Sequence, residues 1–115
     1  MHVGRYVILH HTDIPDPHFD LMIETSPGEY LMTWQLRDWP VTALTTVRRI
    51  ADHRPAYLTF EGKLTGDRGC VRRVEHGLAN VSATPEKIAL ASIEGGQSFT
   101  LNRVNSIDWQ FTPQP

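Results

Sequence analysis

The sequence has 115 residues, 40% of them hydrophobic and 21% charged, which is the size and composition of one globular domain covering residues 1–115. A formal net charge of −2 argues against a protein that binds nucleic acid over a broad basic surface. One cysteine excludes an internal disulfide framework, and no signal-peptide pattern or long apolar run is present, so a cytoplasmic protein without a membrane span is expected.

The chain is rich in short β-strand patterns separated by turn residues. The first predicted strand covers residues 5–11, a proline-rich loop follows, and the second strand covers 18–24. Apolar residues at helical spacing predict one short helix over 42–51. Further strands are expected at 30–36, 56–64, 70–77, 78–83, 87–92, 98–104 and 106–111. This pattern predicts an all-β fold, a small closed or nearly closed antiparallel barrel of about eight strands.

Histidine and aspartate side chains cluster in the first two predicted strands. His18 and Asp20 are two residues apart, so both side chains leave the same face of their strand. If the two strands are neighbours, His11 converges with them near one end of the barrel. Two imidazoles and one carboxylate suit a divalent transition metal and leave positions open for water and substrate. His10 is an alternative to His11 that strand alternation leaves open, and a His-x-Asp pair is also common on ordinary surfaces.

A second polar cluster lies at the junction of a loop and a predicted strand. His53 can protonate a leaving oxygen or donate a hydrogen bond to a phosphate oxygen near neutral pH. The hydroxyl of Tyr57 can donate to a phosphate oxygen. The structural alternative is a turn histidine beside a core tyrosine whose hydroxyl reaches water.

Several motifs follow one another in an order that is typical of a known family. They are a strand ending at His11, then His18-Phe19-Asp20 with Glu24, a strand with Trp34, and His53 and Tyr57 before Phe60-Glu61-Gly62. Over about residues 5–77 the series resembles the 3′-phosphoesterase domain of bacterial DNA ligase D, which also occurs as a free-standing protein.

The resemblance implies a hydrolase of DNA repair that removes a 3′-phosphate or a 3′-ribonucleotide from a DNA or RNA primer end. His11, His18 and Asp20 would bind the metal, with Mn²⁺ expected and Zn²⁺ or Co²⁺ as alternatives. His53 and Tyr57 would be the catalytic residues that contact the scissile phosphate or the leaving group. The expected partners are a nucleic-acid 3′ end and a separate DNA ligase or polymerase, and the chain is expected to be a monomer.

One departure from the family pattern bears on activity. The family has an arginine two residues after the aspartate, where this chain has Met22, and a thioether cannot donate a hydrogen bond to phosphate. Arg48 or Arg68, together with His53, would then have to bind the phosphate. The alternative function is therefore a catalytically weak barrel that binds metal or nucleic-acid ends. A third reading is a likeness of fold alone, with a small molecule or a protein as ligand.

Overall fold

The computed structural model describes residues 2–115 and consists of β-strands with a single 3₁₀ turn in that range. The elements are β1 (His2–Thr12), β2 (His18–Ile23), β3 (Leu31–Leu36), β4 (Thr45–His53), the 3₁₀ turn (Pro55–Leu58), β5 (Gly62–Lys63), β6 (Cys70–Ala83), β7 (Lys87–Ser92), β8 (Phe99–Arg103) and β9 (Asp108–Pro113). No helix in these residues is long and apolar enough to cross a lipid bilayer.

Eight of the strands close into an antiparallel barrel, as the sequence predicts. Their order is β1-β2-β3-β4-β9-β8-β7-β6, and β6 pairs back onto β1 to complete the ring. The closing pair is long, running from His2 opposite Val81 to Thr12 opposite Cys70. Strand β5 pairs with the start of β6 and extends the sheet outside the ring. Closure leaves none of the eight strands with an unpaired edge along the ring.

The barrel interior is an apolar core built by strand alternation. Trp34 and Trp109 meet edge to face, with ring centroids 5.4 Å apart, and Phe99 stacks on Phe111 at 4.4 Å. Trp39 packs edge-on against both phenylalanines and covers the core beyond the end of β3. The side chains from successive strands of the ring include Ile8, Leu21, Trp34, Val47, Phe111, Leu101, Leu90 and Val81.

A smaller apolar cluster covers the outer face of the first strands. Val7 and Leu9 of β1 and Met22 of β2 point away from the barrel interior, because they alternate with core residues. Leu58 of the 3₁₀ turn packs on them and is buried. The chain between β4 and β6, residues 54–69, therefore crosses the outside of the barrel and forms a second layer, the crossing segment.

Hydrogen bonds from Arg73 of β6 hold this crossing segment in place. Its backbone N–H donates to Oε2 of Glu61 at 3.0 Å, and its Nη1 donates to the carbonyl oxygen of Leu58 at 3.4 Å. Glu61 also forms an ion pair with the Arg73 guanidinium at 3.7 Å. The end of the 3₁₀ turn and the residues that follow it are thereby fixed to the wall of the barrel.

The helix expected over residues 42–51 is wrong, because this segment contributes to strand β4. Thr45, Thr46 and Val47 are three β-branched residues in succession, which favour an extended backbone. Val47 lies opposite Trp109 and faces the core, so β4 supplies the link between β3 and β9 that closes the ring. Pairing with neighbouring strands thus determines the conformation of a segment whose apolar spacing also suits a helix.

Two further boundaries differ from the prediction. Residues 56–64 form the 3₁₀ turn and the two-residue β5 rather than one strand. Segments 70–77 and 78–83 form one continuous strand, because Gly77 lies within the ladder opposite Tyr6 instead of ending it. Glu75 is consequently an interior strand residue. It accepts hydrogen bonds from the Tyr6 hydroxyl at 2.7 Å and from Trp39 Nε1 at 3.3 Å.

Burial, reinforced by the hydrogen bond to Glu75, raises the pKa of Tyr6 to about 12. The Tyr6 hydroxyl therefore stays a donor at neutral pH and satisfies a carboxylate beside the core. This network is structural, and it removes Glu75 from the residues that a metal site on the outer face could use.

The loop before β6 offers a matched test of this architecture. Gly66 and Gly69 both have positive φ, at +69° and +83°, where an L side chain costs about 1 kcal/mol. A Cβ at Gly66 would meet no heavy atom within 4 Å, whereas one at Gly69 would overlap the carbonyl oxygen of Thr12. We expect Gly66→Ala to lower the free energy of unfolding by about 1 kcal/mol and Gly69→Ala by about 3 kcal/mol. Urea denaturation measures both, and equal losses would contradict the close approach of this loop to β1.

Candidate metal centre

The register of β1 and β2 brings three candidate ligands together. His11 lies opposite His18, and Leu9 lies opposite Asp20, so the three polar side chains share the outer face of the two strands. The imidazole rings of His11 and His18 are 5.0 Å apart between centroids. One ligand atom from each of the three residues lies within 4.8 Å of the other two. The cluster lies on the outside of the barrel, beneath the crossing segment, rather than inside its mouth.

Each oxygen of the Asp20 carboxylate faces one imidazole. Oδ1 is 3.3 Å from Nε2 of His18, and Oδ2 is 3.6 Å from Nδ1 of His11. An ion with bonds of about 2.1 Å holds its ligand atoms about 3.0 to 3.5 Å apart at octahedral or tetrahedral angles. The His18–Asp20 separation lies in this range and the His11–Asp20 separation just above it, so a small shift of the rings would let the three groups hold a single transition-metal ion.

Backbone carbonyl groups orient both imidazoles. Nε2 of His11 donates to the carbonyl oxygen of Arg68 at 2.6 Å, and Nδ1 of His18 donates to the carbonyl oxygen of Asp16 at 2.8 Å. A carbonyl oxygen only accepts, so each ring carries its proton on the nitrogen that points away from Asp20. The lone pairs of the other two nitrogens then face the carboxylate. Such outer partners of ligating histidines fix ring orientation and tautomer in metal sites.

When both histidines are neutral, neither ring directs a hydrogen-bond donor at the Asp20 carboxylate. Oδ1 of Asp20 is buried and has no hydrogen-bond partner among the described residues. The hydrogen bond that a protonated His18 would donate to Asp20 raises the pKa of His18 despite its partial burial. A proton and a metal ion thus compete for the same lone pairs, and either one satisfies the buried oxygen.

The centre is partly exposed to solvent. The side chain of Asp20 is 6% exposed, whereas those of His11 and His18 are 18% and 15% exposed. With three protein ligands, an ion held here would have room for water or a substrate oxygen on its exposed side. This openness is a feature of catalytic metal sites, since structural sites are closed by protein ligands.

The structure brings His11, and not His10, to this cluster. His10 lies on the opposite face of β1, where its ring stacks on Phe19 at 4.4 Å with an interplanar angle of 13°. The choice between the two histidines that the sequence leaves open is therefore decided by the pairing of β1 with β2. The role of His11 as a metal ligand stays a prediction.

His53 and Tyr57 line a cavity together with two of the candidate ligands, His11 and Asp20. The cavity has a volume of about 290 Å³, and its lining includes His11, Asp20, His53, Tyr57 and Arg68. The rings of His53 and Tyr57 meet edge to face at 5.4 Å. Residues from β1, β2, β4 and the crossing segment, although distant in sequence, thus face one small space.

A buried threonine and a backbone carbonyl orient His53. Its Nδ1 lies 2.9 Å from the carbonyl oxygen of Ala51 and 3.1 Å from the hydroxyl oxygen of Thr33. The Nδ1 proton is donated there, which leaves the Nε2 lone pair of the neutral ring as the remaining polar group. In the protonated ring Nε2 becomes a donor. His53 is therefore oriented to accept or deliver a proton through Nε2.

The two candidate phosphate-binding arginines lie on different sides of the centre. Arg68 lines the cavity, and its guanidinium donates to the carbonyl and hydroxyl oxygens of Thr65 at 2.9 and 2.6 Å. Arg48 lines a separate cavity of about 330 Å³ together with His18. Arg48 lies opposite Gln35, which lies opposite Asp20, so two strand spacings separate the backbones of Arg48 and Asp20, about 10 Å.

Met22 and Glu24 have structural surroundings. Met22 is 1% exposed and belongs to the outer apolar cluster, although it also lines the cavity beside Asp20. Glu24 is buried and forms an ion pair with Arg5, with an Nη2–Oε2 distance of 3.1 Å. Burial alone would raise the pKa of Glu24, but its hydrogen bonds and attraction to Arg5 outweigh burial and bring that pKa below its ordinary value.

The supporting groups were missed by sequence reasoning. Thr33 is a fully buried polar residue whose position in β3 places it on the same face as Asp20, and its period of two with Gln35 is the only signal in the sequence. The carbonyl oxygens of Asp16 and Arg68 leave no signal, because every residue has one.

Comparison with known proteins does not identify a relative. No protein family model and no curated protein matches the chain. The assignment of a function therefore rests on the geometry of the centre and on the chemistry of its donor set.

Metal binding is tested by thermal unfolding with and without a divalent ion. At an ion concentration of about a hundred times Kd, a ligand of the native state adds about 2.7 kcal/mol, which for a small domain raises Tm by roughly 10 °C. We expect Mn²⁺, Co²⁺ or Zn²⁺ to produce such a rise and His11→Ala or His18→Ala to remove it.

His10→Ala is the matched control for this experiment. It deletes an imidazole from the neighbouring position but from the opposite face, so the metal-induced rise in Tm should persist. A rise that His10→Ala removes and His11→Ala retains would contradict the assigned ligand set.

Proposed function

We propose that the protein is a metal-dependent phosphoesterase that removes a 3′-phosphate or a 3′-ribonucleotide from a nucleic-acid end. The observation that carries this proposal is the cluster of three lone-pair groups from His11, His18 and Asp20, two of which, His11 and Asp20, line a cavity together with His53 and Tyr57. Phosphoester hydrolysis requires charge stabilisation at the phosphate and a proton for the leaving oxygen. The two halves of the cavity have the groups for these two tasks.

The donor set suits Mn²⁺, with Zn²⁺ or Co²⁺ as alternatives, since all three ions accept imidazole and carboxylate ligands. Nδ1 of His11, Nε2 of His18 and the carboxylate of Asp20 would hold the ion. When bound, it supplies positive charge to a non-bridging phosphate oxygen and lowers the pKa of a bound water. Asp16 and Arg68, through their carbonyl groups, keep the two imidazoles in the ligating tautomer.

His53 and Tyr57 act on the substrate from the opposite wall. Nε2 of the protonated His53 ring donates to the leaving oxygen, while Thr33 and Ala51 hold the ring by its Nδ1. The Tyr57 hydroxyl donates to a phosphate oxygen. Leu9 and Leu64 line the same cavity and reduce its water content, which strengthens both interactions.

Hydrolysis of a 3′-phosphate gives a 3′-hydroxyl end. Release of a terminal nucleoside leaves a 3′-phosphate, which a second hydrolysis converts to a 3′-hydroxyl end. DNA ligases and polymerases act on such ends, so a separate ligase or polymerase is the proposed functional partner in DNA repair. The protein itself acts as a monomer in this proposal, because all five proposed ligand and catalytic residues come from one chain.

The activity is tested with a primer that ends in a 3′-phosphate or a single 3′-ribonucleotide. Mn²⁺ is expected to support release of inorganic phosphate or of the nucleoside, and EDTA to abolish it. Asp20→Asn and His53→Ala should each lower the rate by at least about a hundredfold, because each removes a group that acts on the transition state.

Asp52→Asn is the control for these variants. Asp52 is exposed, adjoins His53 and pairs with Arg49, so its replacement changes one charge near the site without touching the cavity. Absence of release with Mn²⁺, Co²⁺ and Zn²⁺, when the same protein binds the ion and stays folded, would contradict the proposed activity.

A second candidate function is a catalytically weak barrel that binds metal or nucleic-acid ends. The observation that favours it is the buried thioether of Met22, which lines the cavity between Asp20 and the crossing segment. The resemblance implies an arginine there, and a thioether can neither donate to a phosphate oxygen nor balance its charge. Arg68, already bonded to Thr65, would then be the cation available to the phosphate in this cavity.

Met22→Arg distinguishes the two functions. If a missing guanidinium limits activity, the variant should raise kcat/KM on the 3′-phosphate substrate on the order of tenfold or more. It should also lower the free energy of unfolding by about 1 to 3 kcal/mol, because a longer, charged side chain enters the outer apolar cluster. Met22→Leu is the control and should leave both quantities nearly unchanged. An unchanged or lower kcat/KM in the arginine variant would mean that Arg48 or Arg68 already binds the phosphate.

A further inference from the structure

A second cavity, next to that of the metal centre, is lined by three cationic side chains. It has a volume of about 250 Å³ and lies between the 3₁₀ turn, β5 and the loop before β6. Arg54, Lys63 and Arg68 supply the charges, and none of its described lining residues is acidic. The whole chain has a formal charge of −2, so this local excess of positive charge contrasts with the rest of the surface.

Aromatic rings lie among these cations. Tyr57 and Phe60 meet edge to face with centroids 6.1 Å apart, and both line the cavity. The guanidinium of Arg54 lies 6.0 Å from the centroid of the Tyr57 ring. Phe60 is 38% exposed, which leaves part of its ring available to a ligand. Rings beside cations form the combination that binds bases by stacking and phosphates by charge.

The nearby carboxylate of Glu61 does not neutralise the cavity. It forms an ion pair with Arg73 at 3.7 Å and accepts a hydrogen bond from the Arg73 backbone at 3.0 Å, on the side of β6. Arg68 uses two of its five N–H donors on Thr65, so its guanidinium is positioned and retains donors for an anion.

This basic aromatic cavity adjoins the cavity beside the metal centre. Tyr57, Leu64 and Arg68 line both cavities. A chain molecule that places its terminal phosphate at Asp20 and His53 would therefore leave the centre across Tyr57 and reach Phe60. The same path passes Arg68 first and Lys63 and Arg54 afterwards.

We propose that this cavity binds the unpaired nucleotides immediately 5′ of the reacting end of a single strand, an inference that rests on the proposed function for the placement of the 3′ end. A base stacks on Phe60, and the phosphates of the adjoining nucleotides meet Arg54 and Lys63. A base within a duplex already has both faces covered, so the preference is for a single strand. An acidic peptide would satisfy the cations but would gain nothing from the exposed ring.

Binding is measured by fluorescence anisotropy with a labelled single-stranded oligonucleotide of about 12 nucleotides, within the site size of known single-strand binders. EDTA is present, so that neither metal nor catalysis contributes. Phe60→Ala is expected to weaken binding on the order of tenfold, and Phe60→Trp to restore it. Arg54→Gln and Lys63→Gln should each reduce the slope of log K against log salt by about 0.7, the value for one phosphate contact on a single strand.

Two variants elsewhere on the surface serve as controls. Tyr30→Ala removes an exposed aromatic ring and Lys87→Gln an exposed cation, and neither residue lines this cavity. Both should bind the oligonucleotide as the wild type does. Equal affinity for a blunt duplex, displacement by poly-glutamate at equal charge, or full affinity of folded Phe60→Ala would each overturn the inference.

Failure of this inference and failure of the proposed function give different results. Strand binding with the expected variant effects, but without Mn²⁺-dependent release, supports the strand site and contradicts the phosphoesterase. Hydrolysis of a small phosphodiester such as bis-p-nitrophenyl phosphate, without measurable strand binding, supports the phosphoesterase and overturns the strand site.

Discussion

The antiparallel register of β1 and β2 is the constraint on which the candidate site depends. Pairing of His11 with His18 sets both imidazoles and Asp20 on one face, and a slip of one residue would replace His11 by His10. The apolar partners enforce this register, because Ile8 and Leu21 must face the barrel core together. The hydrophobic effect in the interior therefore determines which polar groups meet outside.

The crossing segment gives the same face a second function. A sheet face with Val7 and Leu9 requires a cover, and Leu58 of the 3₁₀ turn provides it. The same turn carries Tyr57, and the chain before it carries His53, so packing of the cover also brings both residues to the cavity that Asp20 lines. The packing of the 3₁₀ turn on the outer apolar cluster therefore both stabilises this layer and completes the site. Side chains on an exposed sheet face can usually change conformation, but Val7 and Leu9 are held between the sheet and the 3₁₀ turn.

Much of the fold follows from the sequence, and less of the site does. Alternation and turn residues suffice for the barrel, and the His18-x-Asp20 spacing for a shared face. The sequence predicts a helix over 42–51 because the apolar spacing at Ala43, Val47 and Ile50 fits a helix as well, whereas the strands that pair with this segment, β3 and β9, are distant in sequence. The choice of His11 needs the register. The carbonyl of Arg68, which orients His11, is a backbone group and has no residue type to reveal it.

The two ends of the outer face carry polar groups of opposite character. Lone pairs of His11, His18 and Asp20 converge at one end, where a cation is needed, and guanidinium and ammonium groups line the adjoining cavity, where an anion is needed. Neither end alone specifies a phosphoester, since metal sites and basic patches occur separately in many proteins. The proposed function requires both, since a terminal phosphate on a polyanionic chain would be complementary to both, and the two cavities share Tyr57 and Arg68 in their walls. Met22, apolar and buried beside Asp20, would in the proposed function leave the ion and Arg68 to balance the charge of the phosphate.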